Sequence, residues 1–343
     1  MRLNIILMSF VFLTSFSCKE NPYAPPTEDQ PGRRNYNWMI DTIKSSDSIY
    51  RLWGNSPNNL WAINTGGNPY ESIFHFDGIK WSTDGVFRLI SPGSIWGFSN
   101  DEVYIGGNIG DIWHYNGINW KEFARLNKDG HNDIAFNNLW GEFPNDFYAL
   151  GAYPDTEGYL NNSVIAHFSN GSWNLLNTNG LFGIIGHLYR NKPDNKIYLR
   201  IIGGRNYTDS THIYEYTNGQ YNRLYSNIWT QGLQADISLI NGEVYFVLGR
   251  EISKRVNNQF QTILKVDNPN FYQRIWGRNS KDIFLLMTDG LAHYNGTDTE
   301  YLFYFKVTPR TQIFGAALFE KDVFFLVGEA GTNLNLIYHG KLN

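Results

Sequence analysis

A single cysteine, Cys18, stands in a chain of 343 residues, so no intrachain disulfide can form and a thiol catalyst is excluded from the rest of the sequence. Charge is also scarce: 28 Lys and Arg stand against 32 Asp and Glu, giving a net charge of −4. With no basic excess to neutralise phosphates, a general nucleic-acid binder is excluded. The most hydrophobic stretch, Leu3–Phe16, falls short of the roughly 20 residues that cross a bilayer. Helix signals of useful length, Gly-rich phosphate loops, nucleophile elbows and HExxH motifs are all missing, and no cofactor or metal is implied. What the chain has instead is 16% aromatic residues, 33 glycines and 42% apolar residues, the composition of a rigid, turn-rich globular protein.

The first residues combine Arg2, a short apolar region and the small-residue junction Ser17-Cys18, which reads as a secretory signal over residues 1–17. The junction resembles the lipobox of bacterial lipoproteins, although Ser15 stands where an aliphatic residue is usual and Phe16 is bulky. That resemblance implies acylation of Cys18 as the mature N-terminus. It also implies an outer-membrane location, facing either the periplasm or the cell surface. Lys19–Arg34 carries four prolines among mostly polar residues and is too polar to bury a core. Residues 18–36 are therefore expected to form a disordered tether, and residues 37–343 the folded domain.

The folded part is repetitive. Trp53-Gly54, Trp96-Gly97, Trp140-Gly141 and Trp276-Gly277 open similar units, the first three 43 and 44 residues apart. Eight residues after each tryptophan stands another aromatic, Trp61, Tyr104, Tyr148 or Phe284, with a polar turn ending in Asn59, Asp101, Asp146 or Asp282 between them. Ile73–Trp81, Ile112–Trp120 and Ile165–Trp173 each place a histidine six residues before a tryptophan, across a glycine turn. Degenerate copies run from Ile185-Gly186 to Tyr221, from Ile237 to Phe260, and from Phe314-Gly315 to Gly340. Seven copies of about 44 residues, each with four short strands, match propeller blades. The last copy stops after its third strand. The missing strand stands at the other end, where Asn37–Ile40 parallels Asn119–Glu122. The expected fold is an all-β, seven-bladed propeller of four-stranded antiparallel blades, its ring closed by the N-terminal strand.

These motifs resemble bacterial secreted β-propellers with IWG…HYNGxxW repeats, distantly similar to Asp-box and kelch-like propellers. The paired Gly-His and Trp-Asp signature that WD40 blades repeat is missing, with no Trp-Asp anywhere in the chain, and Asp77 is the only Asp directly before a turn glycine in the Asp-box register. The resemblance implies the fold and leaves the activity open, because propellers host many functions.

His75, His114, His167, His293 and His339 recur in one slot and are expected to hydrogen-bond structurally, since equivalent positions around a ring cannot converge on one ion. Asp101, Asp146, Asp282 and Asp322 are expected to cap the repeated turn. Arg88, Arg125, Arg200 and Arg205 are available for a sialidase-like channel cluster, and Asp155 with Glu157 for acid–base work, but no motif unites them. Loops between second and third strands lengthen in blade one (Thr65–Ser72), blade three (Ala152–Asn162) and blade four (Gly203–Thr211). They share a face with the connections between blades. That face would display the ligand-binding candidates Tyr70, Tyr153, Tyr159, Arg205, Asn206 and Tyr207, with the loop residue His131. The sequence thus points to a monomeric, non-catalytic binding or scaffolding module for a protein or glycan, touching the membrane only through its lipid. The alternatives are a carbohydrate-active enzyme, glycosidase or lyase, with a central-channel site, and a structural subunit of an envelope complex.

Overall fold

A computed structural model describes residues 29–203, 210–228, 234–306, 311–329 and 334–343. The N-terminal strand is β1 (Tyr36–Ile43). Blade one comprises β2 (Ile49–Ser56), β3 (Asn59–Asn64), β4 (Ile73–Phe76) and β5 (Trp81–Ser82). Blade two holds β6 (Pro92–Gly97), β7 (Val103–Gly107), β8 (Asp111–Tyr115) and β9 (Trp120–Arg125). Blade three holds β10 (Ala135–Phe143), β11 (Asp146–Tyr153), β12 (Asn162–Ser169) and β13 (Ser172–Leu175). Blade four follows with β14 (Ile184–Asn191), β15 (Lys196–Gly203), β16 (Ser210–Thr217) and β17 (Gln220–Ile228). Blade five is β18 (Ala235–Ile240), β19 (Glu243–Leu248), β20 (Glu251–Val256) and β21 (Gln259–Lys265). Blade six is β22 (Phe271–Asn279), β23 (Asp282–Met287), β24 (Gly290–Tyr294) and β25 (Thr299–Tyr304). Blade seven is β26 (Thr311–Leu318), β27 (Asp322–Glu329) and β28 (Leu334–Leu342), completed by β1.

Seven four-stranded antiparallel sheets form the ring. β1 pairs with β28 in the expected register, Trp38 opposite Gly340 and Met39 opposite His339, as Trp120 and Lys121 stand opposite Tyr115 and His114 in blade two. Closure removes the free edge that an unpaired β28 would present.

Burial falls from the inside outward. Second strands such as β3 and β23 are buried at every residue, because neighbouring blades cover both faces, whereas outer strands such as β9 are mostly exposed. Each fully buried Leu, Ile or Phe contributes about 1.5–3 kcal/mol relative to exposure. The Trp-Gly pair has a packing reason at the seams. A Cβ on Gly97 would come 2.5 Å from the Trp53 ring of blade one, so only glycine admits that indole. Trp96 Nε1 in turn donates to the Gly141 carbonyl of blade three at 3.1 Å. In two degenerate blades the register corrects the sequence alignment: Tyr189-Arg190 and Ala317-Leu318, not Ile185-Gly186 and Phe314-Gly315, occupy the Trp-Gly positions.

The repeated histidine lies against the second-strand aromatic and donates to the residue that opens that strand. His167 Nε2 is 2.6 Å from Asp146 Oδ1 with its ring 4.2 Å from Tyr148, and His339 is 2.7 Å from Asp322. His75 meets Asn59 at 2.6 Å and His293 meets Asp282 at 2.7 Å. In blade two the partner of His114 is Glu102 at 3.0 Å rather than Asp101. The turn acids of blades three, six and seven therefore latch the third strand, a role beyond capping a hairpin.

The expected tether is corrected at its C-terminal end. Asp29 accepts from the Ser280 backbone at 2.9 Å and from its hydroxyl at 2.6 Å, and Gly32 N donates to Lys281 O at 2.8 Å. Arg34 donates to the His293 carbonyl at 2.9 Å and pairs with Asp298 and Glu300 at 2.6 and 3.2 Å. A Cβ on Gly32 would lie 2.5 Å from the His293 ring, which explains why His293 is 0% exposed. Residues 29–34 form a strap across blade six. Specific hydrogen bonds and one close glycine contact hold it where apolar burial could not.

Candidate functional site

In each blade the chain enters the first strand from the previous blade and turns between second and third strands at the same end. These inter-blade connections and the β3–β4-type loops therefore make one connection face. The loop between β11 and β12 is braced from within: Glu157 N and Tyr159 N donate to Asp155 Oδ1 at 2.9 and 3.0 Å, and Asn161 Nδ2 to Asp155 Oδ2 at 2.8 Å. The Asn161 amide and these backbone donors hold the Asp155 carboxyl below its usual range, so it organises the loop as an anion. Tyr153 is the last residue of β11 and not a loop residue, because the strand runs further than expected.

Tyr153 and His131 meet. Their rings stack 4.4 Å apart, the Tyr153 hydroxyl donates to Asp129 at 3.3 Å, and His131 Nδ1 lies 3.4 Å from Asp133. His131 is fixed by a two-way backbone pairing with Lys128 at 3.0 and 2.8 Å. Lys128 Nζ reaches past it to the Ser163 carbonyl at 3.1 Å and to the Thr178 hydroxyl. Phe182, in the next connection and 68% exposed, is bridged by its backbone to Asn162 at the end of the same loop. Tyr159 is half-buried in the loop that Asp155 braces.

On blade one, Tyr70 and Phe87 form an edge-to-face pair 5.4 Å apart, each about half exposed. Arg88 is held by Asp84 at 2.8 and 2.5 Å. β5 is only two residues long, and a cavity of about 660 Å³ opens beside it, lined by Phe87, Trp113 and Trp120. Ile109, exposed in the β7–β8 turn, lies between the two aromatic patches in blade order. Arg205, Asn206 and Tyr207, like Cys18, lie outside the described residues. Phe87, Leu89 and Phe182 were not singled out in the sequence; their signal is large apolar side chains in blade connections, where polar residues are usual.

The central channel encloses about 400 Å³ lined by Trp53, Trp96, Trp140 and Trp276 together with Arg51, His187, Asp236 and Arg274. Of the four arginines available in the sequence, Arg200 stands on β15 behind the lining, 3.7 Å from Asp236, whereas Arg125 pairs with Glu122 at 2.7 Å on outer strand β9. Asp236 also accepts from His187 Nδ1 at 3.0 Å. Burial raises the Asp236 carboxyl, but His187 and Arg200 more than offset it and hold it well below the usual range. Burial keeps His187 down as a neutral donor. Among the described residues no group of three His, Cys, Asp or Glu side chains is arranged to hold a metal ion.

The chain matches no family model and no curated protein sequence. Its fold is similar to solved propellers. Ycf48 bound to D1 peptide superposes with a TM-score of 0.62 at 13% identity, covering 92% of this chain and all (100%) of that one. Ycf48 from Cyanidioschyzon merolae gives 0.60 at 13% identity, covering 88% and 98%. The extracellular domain of the putative hybrid two-component system BT4673 from B. thetaiotaomicron gives 0.58 at 15% identity, covering 88% of this chain and 39% of that one.

Proposed function

We propose that this protein is a non-catalytic recognition module, held at a bacterial outer membrane by a lipid on Cys18, which binds a protein segment on its connection face. The observation that carries the reading is the arc of aromatic side chains over blades one to three: Tyr70 and Phe87, then His131 and Tyr153, then Phe182. Tyr153 stands at the end of β11 and the others on connections and loops, several braced by internal hydrogen bonds, so little ordering entropy remains to be lost on binding. The opposite face exposes mainly single residues at hairpin tips, such as Ile79, Ile118 and Phe143. A peptide ligand also suits the likeness to Ycf48, a propeller solved with a peptide bound.

Hydrolysis of a glycosidic bond takes two carboxyl groups flanking one bond, one of them with a raised pKa. Among the described residues Asp236 is the one carboxylate that lines the channel, and its neighbours keep it ionised. That arrangement favours recognition over the channel-enzyme alternative.

The test pairs Tyr153→Ala/Phe182→Ala with Ile79→Ala/Ile118→Ala and measures binding to envelope proteins and to envelope glycans in parallel. Buried aromatic anchors contribute about 2 kcal/mol or more each, roughly thirtyfold in affinity. Loss of protein binding in the first pair alone supports the reading. Loss in the second pair, or retention of glycan binding only, overturns it.

A further inference from the structure

Each blade carries one residue two positions before its Trp-Gly slot, and six of the seven line the channel. These residues are Arg51, Ser94, Asn138, His187, Asp236, Arg274 and Gly315 in ring order. Four of them are satisfied by neighbours. Ser94 donates to Phe136 O at 2.8 Å, Asn138 to Gly186 O at 2.5 Å, and His187 to Asp236 at 3.0 Å.

Arg51 and Arg274 are different. Arg51 donates only to backbone carbonyls, of Tyr50 at 3.0 Å and Asn137 at 3.3 Å, and Arg274 rests on the Trp276 ring at 5.2 Å. Among the described residues no carboxylate pairs with either. Blade seven, which lies between their blades, contributes Gly315, where a Cβ would come 3.2 Å from Leu52 of blade one, so this blade adds no polar side chain at that position. Burial and the Arg274 charge hold Arg51 down to about 10, as expected of two like charges sharing a channel. Asp236 lines the same channel and acts on Arg274 through space, but its contacts are made to Arg200 and His187, and no ion pair with Arg274 or Arg51 forms among the described residues.

We infer that the central channel binds a carboxylate-bearing ligand, its carboxylate held by Arg51 and Arg274, which both line it. Planar guanidinium forks match a carboxylate in charge and geometry, and two of them leave each oxygen a donor. The channel's tryptophans lie one step further along the same strands and offer apolar surface to the remainder of the ligand. Arg51 is the third residue of β2 and Arg274 the fourth of β22, near the strand ends entered from the connection face. A ligand would therefore approach from that side. The inference does not rest on the aromatic arc.

Channel tryptophan fluorescence reads the site directly. The full chain is titrated with N-acetylphenylalanine and its amide, with glucuronate and glucose, and with inorganic phosphate. The expected result is a saturable change with at least one acid and none with its uncharged counterpart. Arg51→Met and Arg274→Met should each weaken the response roughly tenfold or more. A response to N-acetylphenylalanine alone assigns the carboxylate to a chain end, and a response to glucuronate alone to an acidic sugar. Equal responses to acid and neutral probe, no response to any acid, unchanged binding in the Arg51→Met/Arg274→Met double variant, or tighter binding of phosphate than of either acid would overturn the inference. The acid-against-neutral comparison needs no variant and decides the matter even where a substitution prevents folding.

Discussion

Lys196 Nζ meets Glu215 Oε2 at 3.0 Å in the two positions that blade three gives to Asp146 and His167. The acid has moved from the strand opening to the third strand, and a cation has replaced it. Blade five restores the acid at the opening, with Glu243 2.6 Å from Lys254. The latch between second and third strands thus persists around the ring while its chemistry changes from a histidine hydrogen bond, to a carboxylate or in blade one to the Asn59 amide, to an ion pair.

The two latch types should be interchangeable. Lys196→Asp alone sets two acids face to face and should lower unfolding stability by about 1–3 kcal/mol. Glu215→His alone leaves Lys196 and the nearby Arg255 without their anion. The double substitution should recover most of the loss in urea denaturation. A double variant no more stable than the sum of the single losses would contradict the equivalence.

This latch shows what the sequence made legible. Trp53-Gly54 and its copies, the histidine slot and the N-terminal strand were readable because each repeats a side chain whose size or hydrogen bond the blade requires. Blades four and five carry the latch as Lys–Glu and Glu–Lys, so a search for histidine passes over them. Arg51 and Arg274 both stand in an Arg-x-Trp-Gly pattern, yet their shared place in the channel lining emerges only once register fixes the degenerate blades. The strap was hidden because Pro31 and the polar residues around it have the composition of a free linker.

The strap should contribute to stability. Arg34→Ala removes its bond to the His293 carbonyl and its pairs with Asp298 and Glu300, and should lower the melting temperature, whereas deletion of residues 19–28 should leave it unchanged. Deletion through Asp41 also removes Trp38, which packs edge-on against Phe303 at 4.8 Å, and should expose β28 and promote aggregation. Equal melting temperatures for the three proteins would rule out both the strap and its link to closure.

Acid should destabilise the fold in two stages. Burial lowers the pKa of His75, His187 and His212, so below about 6.5 the unfolded chain binds protons that the folded one refuses. Their contribution is present above that pH and declines as pH falls through it. Asp236 and Asp282 are lowered too, and add a second loss below the usual carboxylate range. Melting temperatures from pH 8 to pH 5 should therefore fall, and His75→Gln should flatten the slope. A rise toward pH 5 would contradict the assignment.

Cys18→Ser should abolish lipid attachment and leave a soluble or uncleaved protein. Mass spectrometry of the mature N-terminus should find a diacylated or triacylated cysteine in the wild type. An unmodified thiol, or cleavage at another residue, would remove the membrane anchor from the account.

The central claim is that recognition occurs on the connection face of blades one to three. A photo-crosslinking amino acid placed at Phe182, and in a second protein at Ile118 on the opposite face, tests it in intact cells. The account expects one discrete protein adduct from the Phe182 position, reduced when Tyr153→Ala is added, and none from the Ile118 position. The same adduct from Ile118, with none from Phe182, would contradict it.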